Sequence, residues 1–231
     1  MSLDVSRGSI TALIGPNGAG KTTLFNLLTG FDAADTGTIE LFGERVERLP
    51  AWRLARKGMV RSFQTPVGFP TLSVWENLMV AASSTSETLL RALAGRRSWK
   101  AGESATAQRV AVVLDRLGLA DRKDAVLDDL SGGEVKLVDF GRQMLMRPRL
   151  LLLDEPAAGV HPTSINRLGE QIRSLRDDGI SVVVIDHNMS FVFGVADYLY
   201  VLASGSVLAH GTPDEVASDP RVVELYLGSD S

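Results

Sequence analysis

The chain has 231 residues, a formal net charge of −4, 45% apolar and 23% charged residues, and no cysteine. That length can bury a sizeable core, as one domain or a domain with a subdomain. The composition excludes a disulfide scaffold, a cysteine-ligated zinc site and a thiol nucleophile, and the acidic balance speaks against nucleic acid as the main partner. No apolar run approaches the roughly 18 residues needed to cross a bilayer. The start, MSLDVSRGS, also lacks the layout of a secretion signal. The chain is expected to be soluble, with any membrane connection made through a partner.

After the Arg7-Gly8 turn, Ile10, Thr11, Ala12, Leu13 and Ile14 form a run that predicts a buried strand. It leads into Gly15-Pro16-Asn17-Gly18-Ala19-Gly20-Lys21-Thr22-Thr23, after which Leu24, Leu27 and Leu28 fall on one face of a helix. Gly15, Gly20, Lys21 and Thr22 satisfy the phosphate-loop pattern G-x-x-x-x-G-K-[ST]. From average composition that pattern arises by chance in about one chain in a hundred of this length. A triphosphate brings several negative charges into a narrow space. The glycines let backbone N–H groups turn inward, and the helix start adds the positive end of its dipole. Lys21 supplies a mobile charge for the outer phosphates, and the Thr22 hydroxyl is placed to ligate Mg²⁺.

A turn around Asp32, Asp35 and Gly37 precedes a predicted strand at 38–42, which turns at Gly43-Glu44. Arg53, Arg56 and Lys57 read as the solvated face of a short helix. Residues 60–64 are extended, Pro66 and Pro70 interrupt regular structure, and a helical pattern resumes at 72–82 through Val74, Leu78 and Ala81. The polar patch at 83–88 and the basic stretch 96–100 read as an exposed connection in which Trp99 packs its ring. From Ala105, Val110, Val113 or Leu114, and Leu117 recur at helical steps, with Gly118 as the stop. Leu130-Ser131-Gly132-Gly133-Glu134 opens a helix that runs to about Arg147.

Residues 150–154 form an apolar strand ending in Asp154-Glu155, and Ile165, Leu168, Ile172 and Leu175 mark an amphipathic helix. A second apolar strand, 181–186, ends in Asp186-His187. Two short strands, 198–202 and 206–210, join at Gly205, and a small helical region follows. Strands alternating with amphipathic helices predict an α/β fold with a mainly parallel sheet covered on both faces. Residues 66–146 lack such strands and read as a helical insertion in a core made of 1–65 and 147–231.

In open α/β sheets reactive groups gather at the carboxyl ends of strands, and three predicted strand ends carry suitable residues. Asp154 can hold Mg²⁺ through its water shell, and Glu155 can orient or deprotonate a water in line with the γ-phosphate. His187 closes the third. Ser131 and Glu134 have capping-box spacing. The pair Gly132-Gly133 costs helix stability that a cap alone would not require, so the cap also shapes a second phosphate-binding surface.

GPNGAGKTT, the extended Gln64, LSGGE, LLLLDEP and the late His187 resemble, in order and spacing, the ATPase subunits of ABC transporters over nearly the whole chain. By that resemblance Gly15 to Thr23 form Walker A, Gln64 the Q-loop, and Leu130 to Glu134 the signature. Asp154 then ends Walker B, Glu155 is the catalytic glutamate and His187 the switch histidine, with Thr22, Gln64 and Asp154 around Mg²⁺. The resemblance implies a P-loop NTPase (RecA-like) core with an inserted helical subdomain and a truncated N-terminal antiparallel β part. Two copies are implied to sandwich two ATPs, so that Ser131, Gly132 and Gly133 act across the dimer.

GFDAADTGTIELFG, VRSFQTP, FPTLSVWENLMVAA, LLLLDEPAAGVHP and GTPDEVASDPRVVELYLG further resemble the ATP-binding subunits of branched-chain amino acid importers. This implies ATP hydrolysis coupled to uptake of branched-chain amino acids or related small amides. Implied partners are transmembrane permease subunits, a second ATP-binding subunit and, indirectly, a solute-binding protein, with no nucleic acid. The implied place is the cytoplasmic face of the cell membrane. The alternative is a soluble ABC ATPase of translation or DNA repair, which usually has two cassettes or a long coiled coil.

The sequence departs from the family pattern at three places. The family's segment before Ser2, with its adenine-stacking aromatic, is absent, which predicts that ATP and GTP compete about equally. The loop after Walker B reads Ala158-Gly159-Val160-His161 where most of the superfamily has an Asp. Glu134-Val135-Lys136 replaces a Gln-rich opening, with little effect expected because Ser131 and both glycines remain.

Overall fold

Apolar runs that end at a glycine or an acid become parallel strands in the first of two units of this computed structural model, which describes residues 1–62, 68–83 and 96–227. That unit comprises Met1–Arg61, Arg149–Ala158 and Ile172–Ser231. Its strands are β1 (Ile10–Ile14), β2 (Glu40–Leu41), β3 (Glu44–Arg45), β4 (Met59–Arg61), β5 (Leu150–Asp154), β6 (Ser181–Ile185), β7 (Tyr198–Ala203) and β8 (Ser206–Gly211). Six of them form one sheet in the order β4-β5-β6-β1-β7-β8, parallel except for the β7–β8 hairpin. Every residue of β1 and β6 is buried, as a strand covered on both faces requires. Each fully buried Leu, Ile or Val side chain contributes about 1.5–3 kcal/mol, and Leu13, Phe25, Leu152, Val183, Ile185 and Leu202 share one cluster.

The predicted strand at 38–42 is shorter in the structure. Only Glu40–Leu41 pairs, antiparallel with Glu44–Arg45, and the turn lies at Phe42-Gly43 rather than at Gly43-Glu44. Both turn residues have positive φ, +54° and +84°. This is the mirror-image turn whose twist matches a two-residue hairpin.

The second unit comprises Ser62–Pro148 and Gly159–Gln171. Three helices lie wholly within it, α3 (Val74–Ser83), α4 (Arg96–Leu117) and α5 (Gly132–Leu145); α1 (Lys21–Leu28) and α2 (Ala51–Arg56) belong to the first unit. Gly141 on α5 lets α3 and α4 approach closely, since a Cβ there would lie 2.8 Å from Leu117 and 3.1 Å from Leu78. Asn77, fully buried, accepts the Phe69 N–H at 2.8 Å and donates to the carbonyls of Phe69, Leu72 and Ser73, fixing the turn that starts α3.

Arg96 to Lys100, expected in an exposed connection, are instead the start of α4. Arg, Lys and Ala are good helix formers without an apolar stripe, so periodicity gives no sign of the helix before Ala105. Side chains at 96–103, Trp99 included, lie outside the described residues, as do residues 84–95. Later in the chain come α6 (Pro162–Asp177), α7 (Met189–Val195), α8 (Pro213–Ala217) and α9 (Pro220–Leu227). No helix among the described residues is long and apolar enough to cross a membrane.

Candidate functional site

Strand register aligns the carboxyl ends of β5, β6 and β1, with Asp154 and Leu13 both opposite Ile185. The segments that carry Gly15 to Lys21, Glu155 and His187 therefore leave the sheet along one edge. At the first of them, Gly15 has φ +149°, and a Cβ there would lie 2.2 Å from the Leu202 carbonyl oxygen, so no other residue fits. Gly20, at φ +98°, turns the chain into α1. The Ala19 N–H donates to the Pro16 carbonyl at 3.2 Å, and the Gly205 N–H in the β7–β8 turn donates to the Ala19 carbonyl at 3.2 Å. The loop is thus braced from the sheet.

No side chain caps α1 and no acid lies in its first turn, which leaves its leading N–H groups to an incoming anion. Pro16 is half-buried, Ala19 is buried, and Asn17, Gly18, Thr22 and Thr23 are exposed. Lys21 is buried along its stem, and its Nζ donates to the carbonyls of Gly15 at 2.7 Å and Pro16 at 2.9 Å. Burial pushes its pKa down, and the negative charges of Glu155 and Asp154 oppose that shift without cancelling it.

Asp154 ends β5 nearly buried, with Oδ2 accepting from Arg61 Nη2 at 3.1 Å. Glu155 follows at φ +50°, a left-handed conformation that is costly for a residue with a Cβ. Its N–H donates to the Ile185 carbonyl at 2.8 Å, and its Oε1 lies 3.2 Å from His187 Nε2. Asp186 explains why these side chains meet. Almost wholly buried, it accepts the Ala157 N–H with one oxygen and the Asn188 N–H with the other, both at 2.8 Å. One carboxylate thereby pins the turn after Glu155 and the turn after His187.

In the second unit Ser131 and Glu134 make the expected capping box. Ser131 Oγ accepts the Glu134 N–H at 3.3 Å, while Glu134 Oε2 accepts the Ser131 N–H at 2.9 Å and its hydroxyl at 2.7 Å. The Ser131 hydroxyl, its N–H and the nearby Arg122 hold the Glu134 carboxyl below its ordinary range, against a smaller opposing effect of burial. Gly132 is exposed and Gly133 half-buried. Gln64 lies outside the described residues.

Among the described residues no group of three His, Asp or Glu side chains could cage a metal. The oxygen donors present, the Asp154 carboxylate and the exposed Thr22 hydroxyl, suit Mg²⁺, which takes one or two protein oxygens and fills its shell with phosphate and water. Sequence reasoning missed three residues here: Arg61, Asp186 and Tyr226. The Gly15 N–H hydrogen-bonds the Tyr226 hydroxyl, whose pKa burial pushes up more strongly than that bond lowers it. An arginine closing an apolar strand was the one available signal for Arg61. Asp186 stood in view only as the neighbour of His187, and nothing local marked Tyr226.

Residues 1–158 match the family model described as ABC transporter. The chain belongs to that family. A second model, branched-chain amino acid ATP-binding cassette transporter, matches residues 206–231. The cassette is 39% identical over 230 residues to the high-affinity branched-chain amino acid transport ATP-binding protein LivG of Salmonella typhimurium, covering 99% of this chain and 90% of that protein. It is 36% identical over 229 residues to a probable protein of the same name from Archaeoglobus fulgidus, covering 99% and 88%.

Among solved structures it resembles the ADP conformation of MJ1267, an ATP-binding cassette of an ABC transporter, with TM-score 0.81, 33% identity and coverage of 99% and 91%. The resemblance to a nucleotide-free cassette from an ABC transporter is similar, with TM-score 0.80, 34% identity and coverage of 97% and 90%. The P-loop fold class expected from sequence is that of these cassettes, and the chain is a transport ATPase subunit. The translation or repair alternative draws no support from these relatives.

Proposed function

We propose that this cassette hydrolyses Mg-ATP at the edge formed by β1, β5 and β6 and couples the reaction to uptake of branched-chain amino acids or related small amides. The observation that carries the reaction is the meeting of Lys21, Asp154, Glu155 and His187 at three adjacent strand ends. The amino acid class is supported by the match at residues 206–231 and by the names of the relatives.

Phosphoryl transfer needs positioning and charge neutralisation more than covalent help. Within the loop Gly15 to Thr23, the N–H groups of Gly18 and of Gly20 to Thr23 are offered to the phosphates, and Lys21 exchanges its two carbonyl partners for phosphate oxygens. Asp154, Thr22 and Gln64 would hold Mg²⁺, which when bound supplies charge neutralisation between the phosphates. Glu155 accepts a proton from the attacking water. His187, beside it, steadies the carboxylate and the γ-phosphate, and Gln64 helps to hold the water. Ser131, Gly132 and Gly133 would complete the site of a second ATP-binding subunit. The helical segment 66–146 forms the subdomain that carries them, within a core of 1–65 and 147–231. The working assembly is a dimer on the cytoplasmic face of the membrane, docked on permease subunits through residues 64–80 and served indirectly by a solute-binding protein, without nucleic acid.

Glu155→Gln tests the reaction. The variant should bind ATP as the parent does, lose nearly all turnover and accumulate as a dimer in ATP, measured by phosphate release and light scattering. Parent-like phosphate release would remove Glu155 from its role.

A further inference from the structure

Arg61 is the last residue of β4, and its guanidinium is held through both terminal nitrogens. Nη2 donates to Asp154 Oδ2 at 3.1 Å, while Nη1 donates to Asn26 Oδ1 at 2.7 Å and Thr29 Oγ1 at 3.1 Å, both acceptors on or just beyond α1. The rings of Phe25 and Phe31 each lie with their centroids 5.6 Å from its central carbon. The side chains of Arg61 and Asp154 are 9% and 10% exposed, so the pair is one of buried charges. A guanidinium stays protonated under all working conditions. It is also a geometry in which removal of either partner strands a buried charge.

A buried carboxylate needs a counter-charge, and here the chain itself supplies one. Lys21 adds a second positive charge that senses Asp154. Any divalent cation that approaches Asp154 meets a carboxylate already engaged by a permanent cation, at a distance where repulsion between like charges is strong. The phosphates of a nucleotide would offset that repulsion; free solution ions cannot. We infer that Arg61 is a resident counter-cation that makes divalent-ion binding at Asp154 conditional on the nucleotide, so that the site accepts the metal–nucleotide complex and refuses the free metal. This inference rests on the reading of Asp154 as the metal-holding carboxylate. Within that reading Arg61 is a positioning residue, acting through Asp154.

The test uses Mn²⁺, followed by its electron paramagnetic resonance signal, on the whole protein with and without ATP. The parent without ATP should bind Mn²⁺ weakly. Arg61→Gln should bind free Mn²⁺ at least tenfold more tightly, and Arg61→Lys, which keeps the charge but cannot span all three acceptors, about threefold. Adding Asp154→Asn to Arg61→Gln should erase the gain. Equal free-Mn²⁺ affinity in parent and Arg61→Gln would overturn the inference, as would a gain that survives Asp154→Asn. Where Arg61→Gln does not fold, Arg61→Met, which also removes the charge while keeping a long stem, decides in the same way. Failure of the underlying reading looks different: Asp154→Asn alone would then leave Mn²⁺ recruitment by ATP unchanged.

Discussion

Two helices in this molecule begin with glycine-rich turns, and they treat their leading N–H groups in opposite ways. α1 starts from Gly20 in a left-handed conformation, with no side-chain cap and no acid in its first turn. α5 starts from Ser131 in an extended conformation with a complete capping box, and the carboxylate that closes the box is also held by Arg122. A bare helix start is less stable by about 1 kcal/mol than a capped one, and α1 accepts that loss where an anion is to be held. At α5 a carboxylate already takes the Ser131 N–H and hydroxyl. An incoming phosphate there must displace Glu134 or use the amides of Gly132 and Gly133 alone.

The largest expected break in this contrast is at α1. Lys21→Ala should lower ATP affinity about a hundredfold, in line with the ~3 kcal/mol that charge-assisted hydrogen bonds contribute, as read by titration with a fluorescent nucleotide. A loss under threefold would show that the N–H groups bind phosphate without the lysine. Next, Ser131→Ala should destabilise the helical unit by about 1 kcal/mol, seen in urea unfolding, with nucleotide affinity of the isolated chain unchanged.

Glu134→Gln sharpens the comparison through pH. The Glu134 carboxyl titrates below its ordinary 4.5 in the folded protein, so it contributes stability that is present above that value and lost as pH falls through the folded pKa. Glu134→Gln should therefore lower the urea midpoint at pH 7 while flattening its fall in acid. A parallel curve would mean that the capping box is not charge-assisted. The smallest effect is expected of Tyr226→Phe, which removes one hydrogen bond to Gly15, worth about 1 kcal/mol. It should weaken ATP binding by up to about fivefold, and an unchanged affinity would show that the loop holds its shape without α9.

What could be read from the sequence was local. β1, β5 and β6 announce themselves as apolar runs closed by glycine or acid, and the phosphate loop and the Ser131–Glu134 box are patterns of adjacent residues. The α4 start at Arg96 was hidden because a helix without an apolar stripe has no period to detect. The Arg61–Asp154 pair was hidden because it joins residues 93 apart in the chain. Asp186 could be seen as a strand end, but its bonds to Ala157 and Asn188 depend on the register of β5 against β6. The turn of the β2–β3 hairpin depends on Phe42 tolerating positive φ, which composition at that position does not advertise.

The backbone of Glu155 carries a further lesson about selection. A residue with a Cβ is held there in a conformation that glycine adopts freely, so replacement by glycine relaxes the chain while deleting the carboxylate. Glu155→Gly should melt no lower than the parent yet turn over no ATP. Screening variants of this cassette by thermal robustness alone would then favour one that has lost its chemistry.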